Sequence, residues 1–80
     1  MSIQSLDCLG VGQSARVAGI EGASAMSRRL LDLGLVPGTQ VTCTAVSPAG
    51  DPAAYLIRGA VIALRRRDAA MVRLGGRVWE

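Results

Sequence analysis

Histidine is absent from this chain, and with it the commonest general base and the commonest ligand for zinc, iron or copper. Asp7, Glu21, Asp32, Asp51, Asp68 and Glu80 are scattered singly, mostly at expected turns and element ends, so nothing pairs them into a general acid and base. Lysine is missing too, which excludes the Gly-rich, Lys-containing phosphate loop, and Gly10-Val11-Gly12 has neither the spacing nor the strand-to-helix context of a dinucleotide site. Cys8 and Cys43 form no metal-ligand spacing and are too few for a disulfide framework. Cys43, between Thr42 and Thr44 in an expected strand, reads as a small buried hydrophobe, whereas Cys8 stays open between a structural and a reactive role. These absences predict a protein that is not an enzyme, with no catalytic residue, no cofactor and no assembled metal site; a direct iron carrier ranks lower, since only the scattered carboxylates, Cys8 and Cys43 could serve as ligands, although metal could still bind at a surface carboxylate.

Phenylalanine is also lacking, and Tyr55 and Trp79 are the only aromatic residues, so the core is expected to be built from Val, Leu, Ile, Ala and Met. No apolar run approaches the roughly 20 residues needed to cross a bilayer, and the N-terminus lacks a basic segment followed by an apolar one. The expectation is a cytoplasmic, unprocessed chain. Eighty residues form a single domain, 1–80, without repeat or linker; chains near this length bury about 60% of the surface that they expose when unfolded. Nine arginines against six acids leave a formal net charge of +3, too mild to choose a partner.

What is present is most informative from Arg29 to Thr39. Leucines keep a helical period up to Leu33, Gly34 suits the left-handed residue that closes a helix, and Leu35 sits where a capping motif folds it back toward Leu30. Pro37-Gly38 then fits the centre of a type II turn. Upstream, Ser24 is the expected N-cap, and Met26, Leu30 and Leu33 fall on one face of a short amphipathic helix. Leu31 lies outside that stripe beside Arg28, which makes it either a partner contact or a cover for the barrel's edge.

Strands are expected at Gln13–Ile20, Thr39–Val46, Ala53–Arg58, Ala60–Arg65 and Ala69–Leu74, with an extended lead-in over residues 3–12 and connections at 47–52, Gly59 and Arg66-Arg67-Asp68. The last strand is expected to place Ala70, Val72 and Leu74 on one side. The class predicted is mostly β: a small SH3-like antiparallel barrel of about five strands with one short helix after the first strand. An OB-like barrel is the competitor, but its helix usually sits between the third and fourth strands. Arg65-Arg66-Arg67 reads as a solvated hairpin tip. The alternative, a small nucleic-acid-binding barrel using Arg65–Arg67, lacks the stacking rings that such barrels use, since only Tyr55 could serve.

The helix-closing segment Arg29-Leu30-Leu31-Asp32-Leu33-Gly34-Leu35-Val36-Pro37-Gly38-Thr39, followed by a strand, then Pro48-Ala49-Gly50-Asp51-Pro52, then Ala63-Leu64-Arg65, resembles the ferrous iron transport protein A (FeoA) family from about Gly12 to Leu74. The resemblance implies an SH3-like barrel in the cytoplasm, serving the large membrane ferrous iron transporter FeoB, which carries a GTPase domain. It implies an accessory or regulator and supplies no catalytic residue to carry over. The same barrel is appended to metal-dependent repressors of the diphtheria toxin repressor type, whose DNA-binding and metal-ligand segments are missing here. A regulator would dock on FeoB and modulate its GTPase or transport activity. The residues expected to bind it are Arg28, Arg29 and Leu31 of the helix, with Tyr55 and Arg66 as outlying candidates; nucleic acid is not the expected partner. Exposed edge strands would also allow a homo-oligomer, and Trp79 is expected either to pack back on the barrel or to sit in such an interface.

Overall fold

The structure, a computed structural model, describes residues 4–80; Ile3, the first residue of the expected lead-in, lies outside the described residues. Five antiparallel strands, β1 (Ser14–Ile20), β2 (Gln40–Val46), β3 (Ala53–Ile57), β4 (Ala60–Leu64) and β5 (Val72–Trp79), form one sheet in the order β4-β3-β2-β1-β5. The order leaves β4 and β5 as the two edges, so hydrogen bonding does not close the sheet into a complete barrel. The strands begin and end within about one residue of the expected bounds, except for the last.

Helix α1 (Ala25–Asp32) follows β1. Ser24 Oγ accepts from the Ser27 N–H at 3.2 Å and satisfies a first-turn donor that no helical carbonyl reaches. Replacing Ser24 with alanine is expected to lower stability by about 1 kcal/mol, seen as a lower urea midpoint with an unchanged slope. At the other end the Leu35 N–H donates to the Leu30 carbonyl at 3.1 Å and the Gly34 N–H to the Leu31 carbonyl at 2.9 Å, the bond pair of a Schellman cap. Gly34 has φ +108°, a backbone that L side chains avoid, and a Cβ there would lie 2.7 Å from Arg58 Cδ. The type II turn follows as expected, with Gly38 at φ +90° and the Thr39 N–H bonded to the Val36 carbonyl at 3.0 Å.

Alternation fixes what each strand buries. Ala15 and Val17 of β1, Val41 and Cys43 of β2, and Tyr55 and Ile57 of β3 point inward and meet Leu30 and Leu35 from the helix end. The core therefore includes an aromatic ring, contrary to the aliphatic core expected: Tyr55 is the largest fully buried side chain.

Two segments differ from the sequence reading. The expected extended lead-in contains a single 3-10 turn at Leu6–Cys8, which buries Leu6 and places Leu9 in the core while Val11 remains exposed. The connection Arg66-Arg67-Asp68 is not a hairpin tip. It belongs to α2 (Arg66–Ala69), one helical turn that carries the chain from β4 to β5, which are not neighbours in the sheet. Asp51 supports this turn from a distant loop, its carboxylate accepting from the Arg66 N–H at 2.8 Å. Ala69 is consequently buried in a helix, Ala70 is its C-cap, and β5 starts at Val72 and runs to Trp79. Trp79, the last residue of β5, is exposed and has the Arg16 guanidinium 5.8 Å from its ring centre.

Candidate interaction surface

The three helix candidates do not share one face. At about 100° per residue, Arg28 and Leu31 lie three apart and close together on the side turned from the sheet. Both are exposed, and Leu31 keeps 42% of its surface in solvent. Leu31 is thus partly covered and partly open to solvent. Arg29 stands on the opposite flank, where with Met26 and Leu33 it lines a groove between α1 and β4.

Tyr55 and Arg66 meet elsewhere, around a recess of about 190 Å³ bordered also by Asp7 and Asp51. Arg66 is exposed on α2, but Tyr55 is only 2% exposed and its hydroxyl donates to the Leu6 carbonyl at 3.4 Å. Tyr55 is therefore a core residue, and burial removes it from the set of partner contacts. Its burial also removes the one ring that could have stacked bases beside Arg65–Arg67, all three of which are exposed. Trp79, the remaining aromatic, sits on β5 with Arg16.

Burial pushes the Tyr55 hydroxyl up to about 12, helped by the negative charge that Cys43 and Asp7 can carry nearby. Folding therefore favours the neutral phenol. Below the unfolded value near 10 this contribution is fully present, and it is lost as pH rises toward 12, because the unfolded chain ionises first. Loss of about 2–3 kcal/mol across that window is expected, read as a fall in the urea midpoint accompanied by tyrosinate absorbance. The chain has a single tyrosine, so the tyrosinate absorbance has one source, while the fall in midpoint also carries a contribution from the raised Cys43 thiol. Burial raises the Cys43 thiol as well, in keeping with a packing role, whereas Cys8 is an exposed free thiol.

Among the described residues no three of Cys, Asp or Glu come together as metal ligands. Among the described residues no helix is long and apolar enough to cross a membrane.

Strand order, the helix between β1 and β2 and the single-turn crossover before β5 define a small SH3-like β domain. The FeoA domain family matches residues 4–74, and the chain belongs to that family, which is associated with ferrous iron transport. It is 33% identical over 66 residues to the Fe(2+) transport protein A/Fe(2+) transporter FeoB fusion protein of Porphyromonas gingivalis, a match spanning 82% of this chain and 8% of that much longer protein. The solution structure of a FeoA protein from Chlorobium tepidum superposes with a TM-score of 0.80 at 33% identity, covering 88% of this chain and 67% of that one. FeoA of Stenotrophomonas maltophilia, crystallised with zinc and described as a prokaryotic SH3 domain protein and a candidate ferrous iron transport activating factor, gives a TM-score of 0.81 at 29% identity. That match covers 92% of this chain and 91% of the relative.

Proposed function

We propose that this chain is a small cytoplasmic accessory protein of bacterial ferrous iron uptake, which docks on FeoB at the inner face of the membrane and modulates its GTPase or transport activity. The observation that carries this reading is the fusion of a homologous domain to FeoB in one polypeptide. A fused pair holds its two parts at high effective concentration, which is useful when the two bind each other.

The exposed pair Arg28 and Leu31 supplies the contact: an apolar side chain for the centre of an interface and a guanidinium for its rim. Arg66 stands on α2 as a further exposed cation. The chain acts through differential affinity for two states of the transporter, and a coupling of about 1–3 kcal/mol shifts the equilibrium between those states about 5–150-fold.

The test is GTP hydrolysis and ferrous iron uptake by FeoB-containing vesicles, with the chain or its Leu31→Asp variant added. The reading expects the wild-type chain to change at least one of the two rates and the variant to lose that effect. Identical rates with and without the wild-type chain would contradict modulation.

A further inference from the structure

The groove between α1 and β4 lies on the flank away from Leu31 and encloses about 240 Å³. Met26 and Leu33 from the helix and Ile62 from the strand supply apolar walls, and Arg29, Arg65 and Asp68 stand around it. Its strand wall is a sheet edge. The other edge, β5, is occupied near its start by the N-terminal segment: Ser5 bridges to Arg73 and the Leu74 N–H donates to the Gln4 carbonyl at 2.9 Å. Among the described residues β4 has no such cover and pairs with β3 alone.

The register says which groups β4 leaves open. Arg58 and Gly59, at φ +51° and +85°, form a two-residue turn of the primed kind, which closes the hairpin at the pair Ile57 and Ala60. Bonded pairs alternate from there, so Val61 and Ala63 turn their N–H and C=O groups away from β3. Ala60 to Leu64 carries no charge, proline or bulge of the kind that blunts an edge against pairing.

We propose that this groove takes an extended acidic peptide segment, which pairs along β4 as a sixth strand, sets apolar side chains against Met26, Leu33 and Ile62, and places carboxylates on Arg29 and Arg65. Charge complementarity selects this occupant. Both arginines are exposed and neither has an ion-pair partner among the described residues, while the one carboxylate of the groove, Asp68, has Arg67 Nε at 4.0 Å. A guanidinium facing a carboxylate forms a charge-assisted pair, and main-chain bonds along an edge supply sequence-tolerant affinity. A second copy of this chain fits less well, because pairing β4 with β4 brings no carboxylate from that strand and sets two arginine-bearing rims against each other. This goes beyond the docking of Leu31 and stands independently of it.

The full chain, labelled with ¹⁵N, is titrated with a capped peptide of alternating glutamate and valine, and with a control in which lysine replaces glutamate. Shifts centred on the amides of Val61, Ala63 and Arg29 are expected with the glutamate peptide, together with slowed exchange of the Val61 and Ala63 amides. Arg65→Glu should weaken binding at least about tenfold, the loss of one charge-assisted contact. Val61→Pro removes an edge donor at a position where an edge strand tolerates proline, and should abolish the slowed exchange; if that variant fails to fold, the exposed Arg65→Glu decides alone. Equal affinity for the lysine peptide, shifts confined to other strands, self-association through the same amides without peptide, or tighter binding of a short oligonucleotide to them would each overturn the proposal. No transporter is present in the assay, so its failure is read separately from failure of FeoB docking.

Discussion

Leu31→Asp is expected to leave the fold intact and to weaken binding to FeoB by at least about tenfold, the effect of truncating an apolar contact worth about 1.4 kcal/mol or more at the centre of an interface. Two features of the position make the separation clean. The side chain keeps 42% of its surface exposed, and it lies outside the stripe of Met26, Leu30 and Leu33 that packs on the core. A surface substitution of this kind stays within about 0.5 kcal/mol in stability. Thermal melting should therefore match the parent chain while binding and iron uptake fall; the carboxylate also turns Arg28 from a rim cation into an intramolecular partner, which adds to the loss. Unchanged uptake with this variant would remove α1's outer face from the interface.

One residue earlier the expected result reverses. Leu30→Ala should destabilise the chain by about 2–5 kcal/mol, because Leu30 is fully buried and the vacated space lies where several elements meet. Leu30 is also the residue whose carbonyl receives the Leu35 N–H, so its side chain and Leu35 pack against each other as the helix closes. A chain of this size holds about 4–12 kcal/mol in total at about 0.05–0.15 kcal/mol per residue. The variant should lose at least about 8 °C in its melting midpoint, and any loss of FeoB binding should follow the unfolded fraction. A melting midpoint within a degree or two of the parent would mean that Leu30 does not organise the core.

That Leu30 belongs to the apolar stripe and Leu31 lies outside it was legible in the sequence, since helical period separates the two, although period left open whether Leu31 meets a partner or covers the barrel's edge. So were the cap at Gly34, the turn at Pro37-Gly38 and the first four strands, each written in residues whose backbone preferences act locally. The single-turn α2 was not. Its first N–H is satisfied by Asp51, fifteen residues away, and its reason for existing is that β5 pairs with β1 and not with β4. Neither fact has a local signature, and Arg66-Arg67-Asp68 looks equally like a polar turn.

Tyr55 shows a signal that was present and not used. Ala53 to Arg58 is apolar on both faces until its last residue, so alternation by itself does not say which face is inward. Arg58 at the strand's end must face solvent, which puts Leu56 and Ala54 on its side and sends Tyr55 and Ile57 inward, as the structure shows. Helix geometry thus made the exposure of Arg28 legible and placed Leu31 off the core stripe. The groove beside Arg29 was not legible, because it exists only once β4, far along the chain, is placed beside α1.

Binding of the purified chain to full-length FeoB and to its cytoplasmic GTPase domain, by calorimetry with and without guanine nucleotide, tests the central claim most directly. The account predicts saturable binding whose affinity differs between nucleotide states, since only such a difference lets an accessory protein shift the transporter. Absence of binding to either form in every nucleotide state would contradict docking. Equal affinity in all states would contradict modulation of the nucleotide cycle.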